Sequence, residues 1–129
     1  MTTVGEVMSR NLLTVDPVTT LHEAAAQMSE RGVGAVLVLS GESVSGILTE
    51  RDVLRAVATG GVEGTHVAAW MTHDPETIVA DERPGHAAAI MLHGGFRHLP
   101  VVDGDKPIGI ISIRDLMRLV IDDEAPRGV

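Results

Sequence analysis

Apolar residues along the chain follow two alternating kinds of spacing. Between Leu21 and Met28 they recur as one face of a helix, whereas Ala35–Leu39 and Val44–Leu48 are almost continuously apolar. Continuous apolar runs of this length are typical of strands covered on at least one face. A second helical stripe follows, formed by Val53, Leu54, Val57 and Ala58. The pattern therefore predicts a helix, two strands and a second helix, in that order.

The same pattern occurs twice. Residues 4–66 align with residues 67–129 without a gap, so that Met8 falls on Met71 and Asp52 on Asp115, a constant offset of 63 positions. A repeat of this length is too long for a solenoid unit and indicates a duplicated half-domain. We therefore expect the two copies to share one core.

Helix-end signals support this division into elements. Thr20 with Glu23 three residues later predicts a capping box, and Gly32 predicts the end of that helix. In the second copy Pro84 is placed for a first helical position, and Gly94–Gly95 for a helix end. Both copies therefore predict the same first helix.

Short extended pieces at residues 13–15 and 77–79 complete each copy as β-α-β-β-α. The second copy's strands are expected at Leu99–Val102 and Ile108–Ser112, with Pro100 at a strand start or edge because proline cannot donate to a ladder. The fold class is α+β (α/β), with two repeats packed in pseudo-twofold symmetry. We expect repeat 1 at residues 1–60, a Gly-rich linker at 61–66, repeat 2 at 67–123 and a flexible tail at 124–129, with fraying after Ile121.

Composition narrows the class of protein. The chain has 129 residues, is 44% hydrophobic and contains no cysteine, which fits one cytoplasmic domain without disulfides. It has no apolar run long enough for a membrane span. A net charge of −8 argues against nucleic acid as a partner. One Phe, one Trp and no Tyr leave a flat ligand only aliphatic side chains and backbone to lie against.

The most informative chemistry lies where the last strand of each copy meets the last helix. Thr49 is followed three residues later by Asp52, and Ser112 by Asp115. A hydroxyl residue followed by an acid at this spacing is an ordinary helix start, in which the hydroxyl caps backbone N–H groups. The alternative interpretation is a ligand site at the same residues.

Two details favour the ligand alternative. Arg51 and Arg114 lie in the first helical turn, where a cation opposes the helix dipole unless an anion is near. A pairing of Arg51 with Glu50 or Glu23 explains the first of them equally well. Gly46 and Gly109 interrupt apolar strands, which indicates either a close approach of a backbone or a ligand or a β-bulge.

These segments resemble a known family. Gly46–Asp52 and Arg97–Asp103, set in a β-α-β-β-α repeat, are similar to the CBS domain, the regulatory domain of cystathionine beta-synthase. Two copies in tandem resemble a stand-alone CBS pair, or Bateman module, over nearly the whole chain. The resemblance implies a regulatory module without catalytic activity, which pairs with a second copy as a homodimer.

The resemblance also implies a ligand, an adenosine nucleotide such as AMP, ADP or ATP, bound in two clefts between the repeats. Thr49 and Ser112 would bind phosphate, and Asp52 and Asp115 the ribose hydroxyls. Occupancy would pass to an unidentified regulated protein through the packing of the repeats. The alternative is a ligand-free interaction scaffold of the same fold.

The base would lie against the extended pieces and aliphatic strand residues. The full set of expected ligand-binding residues is Thr14, Val15, Gly46, Ile47, Thr49, Arg51, Asp52, Thr77, Ile78, Arg97, His98, Pro100, Gly109, Ile110, Ser112, Arg114 and Asp115.

The copies differ at the mouth of one site. Arg97 and His98 stand where the first copy has Gly34 and Ala35, which predicts unequal affinity and a different preference for nucleotide charge. A solvated arginine and a packed histidine are the alternative. No metal site is expected, because the remaining histidines show no i, i+4 pair and no cysteine partners. They are His22, His66, His73, His86 and His93.

Overall fold

The computed structural model describes residues 1–124, and side chains within residues 1–121. Its elements in chain order are α1 (Val4–Val7), β1 (Thr14–Val15), α2 (Leu21–Arg31), β2 (Ala35–Ser40), β3 (Ser43–Thr49), α3 (Glu50–Thr59), a 3₁₀ turn (Val67–Ala69), β4 (Thr72–His73), β5 (Ile78–Val79), α4 (Pro84–Gly94), β6 (His98–Asp103), β7 (Lys106–Ser112) and α5 (Ile113–Glu124). The helix α5 thus continues through Glu124, three residues beyond the expected fraying after Ile121. Residues 125–129 of the predicted tail lie outside the described residues.

The chain forms two compact units, and their limits differ from those of the sequence repeat. The first-repeat unit consists of Leu12–Pro75, and the second-repeat unit combines Met1–Asn11 with the chain from Glu76 onward. The lead segment of each copy, which precedes its first strand, therefore belongs to the unit of the other copy. We call residues 1–11 the first lead and residues 67–75 the second lead.

Each unit has its own sheet. In the first-repeat unit the strand order is β1-β2-β3-β4, with β1 parallel to β2 and the remaining pairs antiparallel. In the second-repeat unit the order is β5-β6-β7, with the same sense of pairing. The β2–β3 and β6–β7 hairpins turn at Gly41 and Gly104, both of which have positive φ. The predicted β-α-β-β-α order is present in both units.

The two leads add to these sheets in the same way. Thr72 of the second lead pairs with Ile47, and Ser9 of the first lead pairs with Ile110 through two backbone hydrogen bonds of 2.8 and 3.0 Å. Thr72 and Ser9 are 63 positions apart, as are Ile110 and Ile47. The exchange of leads is therefore reciprocal. The sequence pattern did not predict it.

The glycines within β3 and β7 accommodate this exchange. A Cβ on Gly46 would lie 2.4 Å from Met71 Sδ, and a Cβ on Gly109 would lie 2.3 Å from Met8 Sδ. The register also shifts beside both glycines, as the β-bulge alternative predicts. The close approach is made by a methionine side chain of the lead.

Each unit has a core cluster of its own. The buried residues of the first-repeat unit's core are Leu13, Leu21, Ala24, Met28, Val36, Val38, Leu48, Ala56, Val67 and Met71. Those of the second-repeat unit are Val4, Met8, Ile78, Ala87, Met91, Leu99, Val101 and Ile111. Both leads contribute a methionine and a valine, so each lead is a part of the core that it joins.

The helix-end signals are largely confirmed. Thr20 caps α2 by accepting the Glu23 N–H at 3.1 Å, and Gly32 ends that helix in the left-handed conformation. The return bond of a capping box, from the Thr20 N–H to the Glu23 side chain, is not among the hydrogen bonds of the described residues. Pro84 occupies the first turn of α4, and Gly95 ends it.

The expectation for Pro100 is wrong. It is the third residue of β6, which is the central strand of its sheet. At the equivalent position of the first-repeat unit, the Leu37 N–H donates to Leu13 O at 2.9 Å. Proline cannot make this bond, and β5 starts its pairing one residue later, at Ile78 with Val101. The later start of the neighbouring strand, which is as long as β1, leaves no ladder bond for Pro100 to make.

We predict that Gly109→Ala lowers stability by about 1–3 kcal/mol, because the methyl group overpacks the site beside Met8 and lies 3.0 Å from the Ser9 carbonyl. Combining it with Met8→Ala should cost about 1 kcal/mol less than the sum of the single changes in urea unfolding. Gly85→Ala is the control, since a Cβ there meets nothing within 4 Å. Strictly additive costs would contradict the contact between lead and strand.

Candidate functional site

The start of α3 holds a closed set of hydrogen bonds. Thr49 is both the last residue of β3 and the N-cap of α3, with an extended backbone. Its hydroxyl accepts the Asp52 N–H at 3.4 Å and donates to Asp52 Oδ2 at 3.1 Å, and the Thr49 N–H donates to the same oxygen at 2.8 Å. Thr49 and Asp52 therefore form a capping box, as the helix-start interpretation predicts.

The start of α5 repeats this geometry. The Ser112 hydroxyl accepts the Asp115 N–H at 3.1 Å and donates to Asp115 Oδ2 at 3.0 Å, while the Ser112 N–H donates to that oxygen at 2.9 Å. Because one carboxylate oxygen accepts both capping donors, Oδ1 takes no part in the cap. Both helix starts thus keep one carboxylate oxygen for other partners.

Each free oxygen faces an arginine one turn along its helix. Asp52 Oδ1 lies 3.9 Å from Arg55 Nη1, and Asp115 Oδ1 lies 3.7 Å from Arg118 Nη1. The carboxylate side chains are only 12% exposed, whereas the arginine side chains are about two-thirds exposed. Ion pairs of this length, in which the arginine lies in solvent, contribute little to stability. A ligand hydroxyl can therefore compete for Oδ1 at little cost.

Strand alternation places part of the predicted site of the first-repeat unit on one face. Thr14 is opposite Leu37, and Leu37 is opposite Ile47, so these three side chains share a face with Thr49, two residues beyond Ile47. Val15 lies on the other face and packs against the core cluster. Of these residues Thr14 is exposed, which leaves its hydroxyl accessible.

Gly46 also lies on the core side, where Met71 fills the space beside it. Val15 and Gly46 can therefore reach a ligand only through their backbone atoms.

The second-repeat unit divides its predicted residues in the same way. His98 is opposite Ser112 and Pro100 is opposite Ile110, so these four share a face. Thr77 immediately precedes β5 and is exposed. Ile78 is in the core cluster, and Gly109 is covered by Met8. These last two residues are again available only through the backbone.

Three predicted arginines are exposed. Arg51 and Arg114 lie in the first turns of α3 and α5, and Arg97 lies immediately before β6. In the described part of the chain none of the three forms an ion pair, so the alternative pairing of Arg51 with Glu50 or Glu23 is not present. The carbonyl of Arg97 accepts the Ile113 N–H at 3.0 Å, which holds Arg97 beside the start of α5.

Sequence reasoning missed one difference at the helix starts. The first residue of α3 is Glu50, an exposed acid, whereas the first residue of α5 is Ile113, which packs against the core cluster. The signal was present in the ungapped alignment of the copies. In that alignment Glu50 falls on Ile113.

The described residues contain neither a cluster of metal ligands nor a membrane-spanning helix. No group of three or more His, Asp or Glu side chains is placed to hold a metal ion. No helix in the described range is long and apolar enough to cross a membrane.

Comparison with known proteins identifies the family. The model of the CBS domain matches residues 4–59 and 67–122, so the chain belongs to the CBS-domain family and carries two such domains in tandem. An uncharacterized 17.7 kDa protein of Acidianus ambivalens is 37% identical over 123 residues, which cover 94% of this chain and 74% of that protein. A CBS domain-containing protein of Arabidopsis thaliana, CBSCBSPB1, is 36% identical over 114 residues, but this chain spans only 21% of it.

Solved structures agree with this assignment. A putative signal-transduction protein with CBS domains from Burkholderia ambifaria matches with a TM-score of 0.89 and 34% identity, over 99% of this chain and 100% of that one. CBSX2 in complex with AMP matches with a TM-score of 0.83 and 27% identity, over 96% and 99%. The CBS domain pair of protein MJ0100, in complex with 5′-methylthioadenosine and S-adenosyl-L-methionine, matches with 0.86 and 25%, over 92% and 99%. The fold is therefore the α+β fold of CBS pairs.

We predict that Thr49→Ala and Ser112→Ala each destabilise the protein by about 1 kcal/mol, because the caps lose their hydroxyl. Thr49→Ser and Ser112→Thr keep the hydroxyl and should remain near wild type. Urea unfolding without ligand measures both pairs. If the alanine and hydroxyl variants unfold at the same midpoint, the capping bonds do not stabilise the helices.

Proposed function

We propose that this CBS pair is a non-catalytic regulatory module that binds an adenosine nucleotide, AMP, ADP or ATP, or a related adenosyl compound, with one set of site residues in each unit. The observation that carries the proposal is the pairing of a hydroxyl and a half-satisfied carboxylate at the starts of α3 and α5. Each pair shares a sheet face with an aliphatic residue, Ile47 or Ile110. The adenosyl ligands of CBSX2 and MJ0100 support the choice of compound.

The chemistry of each helix start fits the parts of a nucleotide. A helix N-terminus offers free N–H groups and the positive end of the helix dipole, which favour a phosphate beside Thr49 or Ser112. The Oδ1 atoms of Asp52 and Asp115 accept hydrogen bonds from the ribose hydroxyls. Aliphatic walls and the backbone of the short strands receive the base, as the shortage of aromatic residues requires.

The capping boxes set a condition on binding. The hydroxyl protons of Thr49 and Ser112 already point to Oδ2 of the following aspartate. A phosphate oxygen must therefore either displace this bond or bind the neighbouring backbone N–H groups. Arg51 and Arg114 lie in the same helical turns, have no ion pair in the described residues, and supply charge for the phosphate.

A ligand-free interaction scaffold is the second candidate function. The specific observation in its favour is that the hydroxyls and one oxygen of each carboxylate are satisfied within the chain. In that case the pairs Thr49–Asp52 and Ser112–Asp115 serve the fold alone. Regulation of a partner protein belongs to the first proposal, in which ligand occupancy changes the affinity for that partner.

A thermal-shift panel with AMP, ADP, ATP, 5′-methylthioadenosine and S-adenosylmethionine tests the proposal. A ligand at a hundred times its Kd should add about 2.7 kcal/mol of stability, a shift of several degrees for a domain of this size. GMP is the control for the base. No shift and no calorimetric binding with any adenosyl compound would favour the scaffold.

Variants of the aspartates locate the sites. Asp52→Ala and Asp115→Ala should each weaken binding at their own site about tenfold to a hundredfold, because a charge-assisted hydrogen bond is worth about 1.5–3 kcal/mol. Asp52→Asn and Asp115→Asn keep an acceptor for the cap and separate lost charge from lost folding. Isothermal calorimetry on the folded variants measures the effect. If all four variants bind the nucleotide with unchanged affinity, the two aspartates do not bind the ribose hydroxyls.

We also propose that two copies of the chain pair through α3 and α5. Five large apolar side chains on these helices are 57–68% exposed, namely Leu54, Val57, Met117, Val120 and Ile121. Val53 of the predicted apolar stripe, and Leu116 at the equivalent position of α5, instead pack against the two core clusters. The exposed apolar residues that remain on each helix are typical of an interaction surface.

Leu54→Glu combined with Met117→Glu should convert the dimer to a monomer, since two charges would be buried in the apolar surface. Analytical ultracentrifugation of the full chain measures the mass. Val18→Glu is the matched control, because Val18 is 69% exposed but lies outside these helices. A wild-type chain that sediments as a monomer would refute the pairing.

A further inference from the structure

The two helix starts differ in charge although their capping geometry is the same. Around α3 the side chains of Glu50, Arg51, Asp52 and Arg55 carry two negative and two positive charges, which cancel. Around α5 the side chains of Arg97, Arg114, Asp115 and Arg118 leave a formal charge of +2. Two substitutions between the copies create the difference, Arg97 in place of Gly34 and Ile113 in place of Glu50.

Backbone hydrogen bonds place these residues beside the first turn of each helix. In the first-repeat unit the Glu50 N–H donates to Gly34 O at 3.0 Å, and in the second-repeat unit the Ile113 N–H donates to Arg97 O at 3.0 Å. The position of Gly34 or Arg97 is therefore joined directly to the first residue of the helix. Arg97 and Glu50 are both exposed, and neither forms an ion pair in the described residues. Their charges are thus not cancelled locally by a partner.

The residue opposite the hydroxyl differs as well. His98 is the cross-strand partner of Ser112, whereas Ala35 is the partner of Thr49. Directly opposite residues have Cβ atoms about 4.5–5.5 Å apart, so His98 and Ser112 leave the same sheet face at neighbouring positions. The second-repeat unit therefore has two further nitrogen-bearing residues, Arg97 and His98, at the strand end that carries Ser112.

We propose that the two units select nucleotides of different charge. This inference rests on the proposed adenosyl function. The site of the second-repeat unit prefers adenosine di- and triphosphates. The site of the first-repeat unit prefers a monophosphate or an adenosyl compound without phosphate. Arg97 and Glu50 are the specificity-determining residues, Arg97 by attraction of the distal phosphates and Glu50 by repulsion of them.

The sign of each effect follows from Coulomb's law. Each phosphate added beyond the first brings further negative charge toward the start of a helix. The residues around the start of α3 are neutral in sum, and those around the start of α5 carry a charge of +2. A single unit charge within several ångströms of an exposed phosphate changes affinity by about threefold to tenfold, less at high salt. Two charges of difference therefore predict a ratio of ATP to AMP affinity about tenfold to a hundredfold higher at the second site.

Site-resolved titration tests the proposal. The backbone amide signals of Asp52 and Asp115 in two-dimensional NMR of the full chain report occupancy of the first and second sites separately. Titrations with adenosine, AMP, ADP and ATP give the affinity ratios at both sites. Arg97→Gln should lower the ATP to AMP ratio at the second site about threefold to tenfold, and Glu50→Gln should raise it at the first site by a similar factor.

Matched controls use charges at the opposite end of each sheet. Arg83→Gln changes the N-cap residue of α4, and Glu23→Gln changes the first turn of α2. Both remove one charge but should leave the two ratios within twofold of wild type. Increasing salt should narrow the difference between the sites in the wild-type chain.

The outcomes separate this inference from the function on which it rests. Binding at both sites with equal ATP to AMP ratios, or ratios unchanged in Arg97→Gln and Glu50→Gln, overturns the charge selection and leaves the adenosyl function standing. Absence of amide shifts with all four compounds overturns both. Equal responses in the control variants would show that net charge, and not the position of Arg97 or Glu50, sets the ratios.

Discussion

The contact of a methionine with a glycine in a strand is the interaction on which the rest of each unit depends. Met71 Sδ and Met8 Sδ occupy the space where Gly46 and Gly109 would carry a Cβ. These contacts anchor the leads, whose next residues extend the pairing beyond β3 and β7. The other face of those strands carries Ile47 and Ile110. Packing of the leads on one face thus holds the strands that present the proposed site residues on the other.

The capping boxes give the same atoms two roles. Thr49 and Asp52 end a strand and start a helix without any ligand, so the folded site exists before a nucleotide arrives. This arrangement limits the entropy lost on binding, because the hydroxyl and carboxylate are already fixed. It also limits the gain, since part of their hydrogen-bonding capacity is used. Selectivity must then come from residues outside the cap, and the two copies differ among those residues.

Local features were predictable from sequence, whereas pairings distant in sequence were not. Thr20, Gly32 and Pro84 act through their own backbone neighbours, so their roles could be inferred from position alone. The exchange of leads could not, because an apolar pattern shows that Met8 is buried without showing which sheet covers it. Pro100 was misplaced since the residue at which β5 begins to pair is decided by tertiary structure. Val53 and Leu54 both fit an apolar stripe, and packing alone shows which one faces the core.

The exchange of leads bears on how a chain of this kind arose. A single copy, arranged as in this structure, would have a sheet that lacks its own covering segment and a lead that another sheet requires. Two identical chains could satisfy each other by trading leads, which is domain swapping between protomers. Gene duplication with fusion would then have joined partners that were already interdependent. Only after fusion could the two halves change independently, and the divergence of Glu50 from Ile113 and of Gly34 from Arg97 is of this kind.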